Sequence, residues 1–411
     1  MNKILFVLGS FFPEPSANAI CCMEIMKKLR DDGNEIHCIV NHWGNMQRFE
    51  KIEGIFVHRV SIPLNQRLQK RYSTGEFSNR LCRYLMKVLH GCYRLISAMC
   101  FPYPTMGFAR AVLRETKSIL NSHEIDTVIC VNQPITSLFV GCKLKKKNTD
   151  VRFIAYLLDP IKNGFSHPWL SKHRIDHMLD TLQNKVVCEF DLIIAQNEHE
   201  VLFKDIKDER FRKKICYLGA PLLVKKIQEA VPLSGPKKNV IYAGGLSSTR
   251  SPAYLIDVFR YVDSAVLHIY STNQSAWLKD MVSNHPNVIL HPPIEHSRLM
   301  SIMKGADALV SIGNTQSEYA PSKIIECISF GKPIIATYRT DYDTCKTYMK
   351  KYPHGLYVDE RCVAVQTAAR AIEDLLEFSK EEIAFSELSD TYWGNTPEAF
   401  IETIYGERGL R

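Results

Sequence analysis

The sequence predicts an α/β protein with two doubly wound domains, each built on a parallel β-sheet between helices. Short continuous apolar runs alternate with helical stretches, and the strand–turn–helix pattern restarts near residue 239. Continuous apolar runs are typical of strands that are buried on both faces of a parallel sheet. A chain of 411 residues is also long enough to bury two separate cores.

The first domain is predicted over residues 1–220. Its opening strand is followed by Gly9, Ser10 and a loop, and then by a helix over about residues 18–31. Ligands of doubly wound sheets bind outside the carboxyl ends of the strands, so the backbone at Gly9 could approach a ligand. A simple strand-to-helix turn explains this glycine equally well. The predicted strands lie at residues 3–8, 35–40, 126–131, 151–158, 191–195 and 215–218.

Asp159 stands at the end of one of these predicted strands. Catalytic and substrate-contacting groups of doubly wound sheets collect at such positions. A turn aspartate before Pro160 is the structural alternative, so Asp159 is a candidate and no more.

Positive charge is concentrated in residues 51–150, which hold 16 basic and 6 acidic residues in a chain of net charge +8. Residues 44–78 are interpreted as a variable, basic excursion. A basic amphipathic helix is predicted after it, and such a helix can lie on an anionic membrane surface or pack its apolar face on the core. Its apolar stripe is Leu81, Leu85, Val88, Leu89, Cys92, Leu95, Ile96 and Met99.

Cysteine usage indicates the compartment. The 13 cysteines have neither disulfide-framework nor zinc-ligand spacing, which predicts a reducing environment and hence the cytoplasm. The N-terminus superficially resembles a signal peptide, but the cysteines and Pro13, Glu14 and Pro15 oppose export. No apolar run is long enough for a spanning helix. We therefore expect a cytoplasmic protein that is peripheral at the inner face of the cell membrane if the basic region binds lipid.

A mixed segment over residues 221–236 is predicted as a linker, and the second domain follows over residues 237–392. Its first strand, at 239–243, runs into Gly244-Gly-Leu-Ser-Ser-Thr-Arg250-Ser-Pro252 and a helix. A glycine-rich turn with a basic residue before a helix suits a phosphate, although no Gly-Lys-Ser/Thr ends it as in a Walker A motif. Further strands are predicted at residues 265–270, 288–290, 308–312 and 334–336.

The segment from Glu318 to Ala336, EYAPSKIIECISFGKPIIA, predicts a loop, a helix, a glycine turn and a buried strand. Pro321 suits the first helical position, where its missing N–H costs nothing. Lys323 in the opening turn would suit a bound anion such as a diphosphate, together with the unpaired backbone N–H groups there. Gly331 is expected to end the helix. The residues expected in the core are Ile324, Ile325 and Ile328.

These two segments resemble the GT-B glycosyltransferases and, within them, the retaining glycosyltransferase family four. The second segment carries the family's Glu-x7-Glu spacing at Glu318 and Glu326, together with the motifs P-S-K-I-I-E and F-G-K-P-I. The resemblance covers nearly the full length. It implies two Rossmann-like domains that face a central cleft, with a closing helix over about residues 393–411 that can pack back on the first domain.

The resemblance also implies roles for the matching positions. Glu326 would accept hydrogen bonds from the ribose of the donor, and Glu318 would be the catalytic carboxylate beside the transferred sugar. Arg250 and Lys323 would hold the diphosphate leaving group, which gains charge as the glycosidic bond breaks. Further donor contacts would come from Gly244, Gly245, Ala320, Pro321, Ser322, Gly9 and Ser10.

Two positions depart from the family's pattern. The family often has an arginine directly after the glycine of the first motif, five residues before a lysine, whereas this chain has Gly245 and Arg250 there. The family's catalytic-region histidine of the first domain is missing, since the equivalent strand end reads Leu158-Asp159. Asp159 is therefore the candidate for that region, and the acceptor-activating residue stays open.

Taken together, we expect a retaining, metal-independent glycosyltransferase of the hexosyltransferase type. It would use a UDP- or GDP-sugar without a cofactor and act on a saccharide or polyprenyl-diphosphate-linked acceptor in bacterial surface polysaccharide biosynthesis, such as that of lipopolysaccharide or capsule. The basic residues in 51–150 would face an anionic membrane, and no nucleic acid partner is expected. The alternatives are a GT-B sugar-nucleotide epimerase or hydrolase, and a catalytically inactive GT-B binding partner.

Overall fold

The computed structural model describes most of the chain as two compact units. One unit comprises Met1–Gly219 and Glu398–Arg411, and the other comprises Ala220–Pro397. The domain bounds predicted from the sequence stay a prediction. The described residues are 1–12, 16–42, 46–62, 84, 85, 88, 89, 91, 92, 95, 99, 106–161, 170–204, 206, 208–272, 275–313, 322–378 and 381–406.

The first unit is built on an eight-stranded sheet with the order β3-β4-β2-β1-β5-β6-β7-β8. Its strands run parallel except β3, which pairs antiparallel with β4 at the edge. The central strands are fully buried because apolar residues occupy both faces. The strands are β1 Lys3–Val7, β2 Glu35–His42, β3 Phe49–Ile52, β4 Ile55–Ser61, β5 Thr127–Val131, β6 Arg152–Leu157, β7 Leu192–Gln196 and β8 Ile215–Leu218.

Helices connect these strands, and the first of them begins at a polar cap. The Ser16 side chain accepts a hydrogen bond from the Ala19 N–H at 3.3 Å, which satisfies one of the unpaired donors of the opening turn. The helices are α1 Ala17–Asp31, α2 Met106–Ser122, α3 Thr136–Lys145, α4 Lys172–Val186, α5 Glu200–Phe203 and α6 Glu209–Arg212.

One part of the sequence interpretation is wrong. Residues 44–78 were expected to form a variable excursion, but β3 and β4 lie within them and belong to the sheet. The buried run of β4 is interrupted by two polar side chains, His58 and Arg59, which hide its apolar pattern. Arg59 is tolerated there because it donates to the carboxylate of Glu50 on β3.

The predicted amphipathic stripe is helical at its described positions and does not pack on the core. The large apolar side chains there are between 47% and 78% exposed, so the core-packing alternative is wrong for them. They are Tyr84, Leu85, Val88, Leu89, Leu95 and Met99. Leu81 and Ile96 lie outside the described residues. Within the described ranges, no helix combines the length and apolar character needed to cross a membrane.

The second unit is built on a six-stranded, all-parallel sheet with the order β11-β10-β9-β12-β13-β14. The strand order reverses between β9 and β12, which is the topological switch point where such sheets bind ligands. The strands are β9 Lys238–Ala243, β10 Ala265–Tyr270, β11 Val288–His291, β12 Ala308–Ile312, β13 Ile334–Tyr338 and β14 Gly355–Asp359. The helices are α7 Ala253–Val258, α8 Ala276–Val282, α9 His296–Gly305, α10 Ser322–Ile328, α11 Cys345–Met349, α12 Val365–Phe378 and α13 Phe385–Thr391.

A last helix, α14 Pro397–Tyr405, lies largely in the first unit. The ring of Phe400 packs against that of Tyr156 with centroids 4.8 Å apart, and both side chains are buried. Arg152 also donates to the Ile404 carbonyl. Residues from the far end of the sequence thus complete the core beside β6.

Candidate functional site

The glycine turn of the second unit lies at the carboxyl end of β9, on the switch point. The Gly244 N–H donates to the Tyr270 carbonyl at 3.0 Å, and Tyr242 Oη donates to the Gly245 carbonyl at 2.9 Å. A Cβ atom on Gly244 would lie 3.0 Å from Tyr242 Oη and 3.8 Å from Lys323 Cε. The turn therefore lies against the side chain of Lys323, as a shared phosphate site requires.

Arg250 lies at the end of the same loop. Its backbone exchanges hydrogen bonds with Ser247, from Ser247 N to Arg250 O at 3.2 Å and from Arg250 N to Ser247 O at 3.1 Å. Burial raises the pKa of Tyr242 to about 12, and the positive charge of the Arg250 guanidinium opposes this rise. The guanidinium therefore lies near Tyr242 and the glycine turn. The buried Nε of Arg250 has no hydrogen-bond partner within the described part of the chain. A buried, unsatisfied donor of this kind suits an anionic ligand.

Helix α10 holds the next two predicted residues. As expected, Ile324, Ile325 and Ile328 are buried, and the helix ends before Gly331, whose φ of 70° is left-handed. Lys323 and Glu326 lie one turn apart on this helix. Lys323 donates a hydrogen bond to the Glu326 carboxylate, and the two form an ion pair.

The charges around Glu326 hold it ionised. Burial alone raises the pKa of this carboxyl group, but Lys323 and Lys226 outweigh it and keep the pKa below its ordinary value. Burial likewise lowers the pKa of Lys323, and Glu326 more than compensates, while Arg250 acts against that rise as a neighbouring like charge. Arg250 and Lys323 are thus two cations beside one glycine turn, with a buried carboxylate behind them.

Sequence reasoning missed Lys226, which lies in the predicted linker. Its ammonium acts on Glu326 and lies 5.5 Å from the centroid of the Phe330 ring. The only signal was the basic pair Lys225-Lys226, and spacing along the chain does not connect it with α10. Three of the predicted positions, Glu318, Ala320 and Pro321, lie outside the described residues, and Ser322 is the first residue of α10.

In the first unit, Gly9 and Ser10 follow β1 at the switch point between β1 and β5. A Cβ atom on Gly9 would lie 2.7 Å from Pro134 Cδ, so this position must be glycine because of the adjacent loop. Ser10 Oγ donates to Ser16 Oγ at 2.6 Å and accepts from the Ser16 N–H at 3.2 Å, and thereby supports the cap of α1. Both contacts are made within the protein, and the donor role of these two residues stays a prediction.

Asp159 lies at the same edge, after β6, and is held by two asparagines. Asn18 Nδ2 donates to Asp159 Oδ2 at 2.6 Å, and Asn132 Nδ2 donates to the Asp159 carbonyl at 2.6 Å. Asn132 Oδ1 in turn accepts from the Leu158 N–H at 3.1 Å. The carboxylate is half-buried and oriented, as a residue that accepts hydrogen bonds from a hydroxyl group would be.

Comparison with known families supports the reading of the second unit. Residues 224–388 match the family described as "Glycosyl transferases group 1", a range that contains Gly244, Arg250, Lys323 and Glu326. A search of curated protein sequences finds no match.

Solved structures resemble the chain over its whole length. Sucrose-phosphate synthase from Thermosynechococcus elongatus is 13% identical with a TM-score of 0.59, covering 100% of this chain and 93% of that one. The E. coli trehalose-6-phosphate protein bound with UDP-2-fluoro glucose is 13% identical with a TM-score of 0.62, covering 100% and 99%. WaaG, a glycosyltransferase involved in lipopolysaccharide biosynthesis, is 13% identical with a TM-score of 0.57, covering 98% and 100%. The predicted resemblance to the GT-B fold is confirmed, and the chain has the α/β GT-B architecture. The resemblance to glycosyltransferase family four stays a prediction.

Proposed function

We propose that this protein is a retaining glycosyltransferase that moves a sugar from a UDP- or GDP-sugar to a saccharide or lipid-linked acceptor. One observation carries the proposal. Arg250, Lys323 and Glu326 gather beside the Gly244–Gly245 turn at the switch point of the second unit. That arrangement offers two positive charges to a diphosphate and a carboxylate to the nucleoside.

The diphosphate leaving group would bind between Arg250 and Lys323. Negative charge accumulates on it as the bond to the anomeric carbon breaks, and fixed cations in a partly desolvated site stabilise that charge. Among the described residues the buried Nε of Arg250 has no hydrogen-bond partner, so a phosphate oxygen would satisfy it. These two cations would do the work that a metal ion does in other transferases.

Glu326 would accept hydrogen bonds from the two ribose hydroxyl groups. Its carboxylate is held ionised by Lys323 and Lys226, so it can accept from both hydroxyls at once. Lys323 now donates to this carboxylate. On donor binding, the Lys323 ammonium would turn from Glu326 to the diphosphate. The Glu326 carboxylate would then be available to the ribose hydroxyl groups.

Transfer would proceed on the face from which the leaving group departs, with a leaving-group phosphate oxygen taking the proton of the acceptor hydroxyl. The new glycosidic bond forms as the bond to the diphosphate breaks, so configuration is retained. Glu318 would stabilise positive charge at the anomeric carbon. Asp159, oriented by Asn18 and Asn132, is the candidate for contact with the acceptor or transferred sugar.

The experiment that tests the donor site is ligand-induced stabilisation with a panel of sugar nucleotides. A ligand that binds only the folded protein raises its melting temperature by mass action. UDP- or GDP-sugars are expected to raise Tm in a saturable manner without added metal. If no UDP-, GDP-, ADP- or TDP-sugar changes Tm, the proposed donor site is wrong.

We propose further that the protein docks on the anionic inner face of a bacterial membrane to reach a polyprenyl-diphosphate-linked acceptor of surface polysaccharide synthesis. The exposed apolar stripe that includes Leu85 and Leu89 lies in a stretch of 100 residues with 16 basic and 6 acidic side chains. An apolar stripe in basic surroundings matches an anionic lipid surface in both hydrophobicity and charge. WaaG, which shares the fold, acts in lipopolysaccharide biosynthesis and provides a precedent for such an acceptor.

A further inference from the structure

A separate cluster of histidines and glutamates lies near the amino ends of the first-unit strands, whereas Gly9 lies at the carboxyl ends. Glu35 opens β2 and His37 lies two residues on, on the same face of the sheet. His58 is on the neighbouring strand β4, Glu115 is on α2, and His123 follows that helix. We call these five residues the His37 cluster. The run from Lys3 to Gly9 spans about 20 Å of extended chain, so the cluster is remote from the carboxyl edge.

Four members of the cluster form a series of contacts between two carboxylates. Glu35 Oε1 lies 3.0 Å from His37 Nε2, and His37 Nδ1 lies 3.1 Å from His58 Nε2. His58 Nδ1 then lies 3.4 Å from Glu115 Oε1. Each of these contacts needs one hydrogen. Ionised carboxylates supply none and each neutral imidazole supplies one, so one contact lacks a hydrogen unless a cation enters the series.

The geometry at the Glu35 end favours a metal ion as that cation. His123 Nδ1 lies 4.0 Å from Glu35 Oε1, and ligand atoms of Glu35, His37 and His123 all lie within 4.8 Å of one another. Ligand atoms of a tetrahedral zinc site are about 3.3 Å apart for bonds of about 2.0–2.1 Å, so modest side-chain rotations would bring these three into range. Imidazole nitrogen with one carboxylate oxygen is a ligand set that suits Zn²⁺.

We propose that Glu35, His37 and His123 bind one Zn²⁺ ion. With the metal on His37 Nε2, the Nδ1–H of His37 donates to His58 Nε2, and the Nδ1–H of His58 donates to Glu115. Every contact of the series is then satisfied. Zinc-bound histidines commonly donate their second N–H in this way, which fixes the ring orientation and the tautomer.

The surroundings allow the ion to enter. His37 is buried, whereas the side chains of His123 and Glu35 are 39% and 22% exposed, which leaves room for a water molecule as fourth ligand. Lys3 Nζ lies 3.8 Å from Glu35 Oε1, but this side chain is one-third exposed and can turn to solvent.

The ion would join the start of β2 to the residue that follows α2, in the unit that does not contain Arg250, Lys323 and Glu326. Its role is therefore structural, and its test does not depend on the proposed function. The sequence did not predict it, because the ligands lie in distant parts of the chain and none has zinc-motif spacing.

The test is zinc binding by the full-length protein after treatment with EDTA and dialysis, in competition with a chromophoric chelator. One tight Zn²⁺ per chain is expected, with a rise in Tm that Mg²⁺ does not produce. His123→Ala and Glu35→Gln should each weaken the affinity at least tenfold. His123→Cys, which restores a ligand, should recover most of it.

His173→Ala is the matched control, because His173 and His177 lie four residues apart on α4 and could form a rival site. This variant should keep the tight zinc. The proposal is overturned if the wild-type protein retains no zinc, or if His123→Ala binds zinc as tightly as the wild type. Since the His123 side chain is 39% exposed, the metal-free His123→Ala variant should have the same Tm as the metal-free wild type. This comparison separates loss of a ligand from loss of the fold.

Discussion

Lys323 and Glu326 are ion-paired one turn apart on α10, although the family resemblance assigns them to different parts of the donor. The pairing couples the two proposed roles. A diphosphate that attracts the Lys323 ammonium also releases the Glu326 carboxylate for the ribose hydroxyls. A nucleoside diphosphate should therefore gain more from the site than the separate contributions of its nucleoside and phosphate parts.

The first prediction concerns Glu326. Glu326→Gln should weaken binding of the preferred sugar nucleotide about 10- to 100-fold, because charge-assisted hydrogen bonds worth about 1.5–3 kcal/mol are lost. Isothermal titration calorimetry measures the effect. Glu382→Gln is the control, since Glu382 also pairs with lysines of the second unit, at 2.7 Å from Lys332 and 2.8 Å from Lys304. Equal affinity of the Glu326 variant and the wild type would exclude the ribose role.

The second prediction separates the diphosphate from the nucleoside. Arg250→Ala should lower the affinity for the nucleoside diphosphate at least tenfold and leave the affinity for the free nucleoside unchanged, because only the diphosphate reaches the guanidinium. Calorimetry with both ligands gives the ratio. Arg260→Ala, which removes an arginine next to Asp257 and His285, should alter neither value. A parallel loss for nucleoside and diphosphate would mean that Arg250 does not contact phosphate.

The third prediction concerns acid stability through His199, which is buried in the first unit. Burial lowers the pKa of His199 to about 4, below the ordinary value of 6.5. The His199 ring is therefore protonated at a higher pH in the unfolded chain than in the folded protein. As the pH falls from 6.5 to 4, this difference lowers the free energy of unfolding by about 3 kcal/mol in total.

His199→Gln should therefore flatten the dependence of Tm on pH over this range, even if Tm at pH 7 falls. The exposed His173→Gln serves as control and should keep the wild-type slope. An unchanged slope in His199→Gln would show that this ring does not cause the acid sensitivity.

The fourth prediction concerns the turn after α10. Gly331 has a φ of 70°, and a Cβ atom there would lie 2.4 Å from the Ile383 carbonyl oxygen. Gly331→Ala should cost about 3 kcal/mol, from left-handed strain and overpacking, and lower Tm by roughly 10 °C. Gly394→Ala, where a Cβ atom would meet nothing within 4 Å, should melt close to the wild type. Similar Tm values for both variants would contradict the described turn.

The fifth prediction concerns the apolar stripe. The double variant Leu85→Ser with Leu89→Ser should lose most of its co-sedimentation with anionic vesicles, because both side chains are about half exposed and available to lipid. Wild-type binding should weaken with added salt. Val201→Ser changes an exposed apolar residue of the same unit outside the stripe and should bind as the wild type does. Salt-insensitive binding, or none, would remove the membrane proposal.

Much of the fold could be predicted because central parallel strands are continuous apolar runs. The edge strand β3 and its partner β4 were missed, since His58 and Arg59 break the pattern and Arg59 is stabilised by Glu50 across the strand pair and by the Phe12 carbonyl. A side chain compensated by a partner on another strand cannot be recognised from its own neighbours in the sequence.

The candidate site, too, has features that local motifs predict and features that depend on the tertiary fold. Short local motifs predicted one site from Gly244, Arg250, Lys323 and Glu326, and these residues lie near one another in the structure. Their roles toward the donor stay predictions. The ion pair within α10, the approach of Lys226 and the His37 cluster depend on side-chain directions and on chain segments that meet only in the fold. None of these is visible in residue spacing.

The two-segment composition of the first unit has a consequence for synthesis on the ribosome. The second unit is continuous from Ala220 to Pro397, whereas Phe400, which packs on Tyr156, is translated after it. The first unit is thus completed only after the second unit has been translated, and Tyr156 lacks this aromatic contact until then. Premature termination just before Glu398 would leave the second unit whole and expose the apolar surface around Tyr156 on the first.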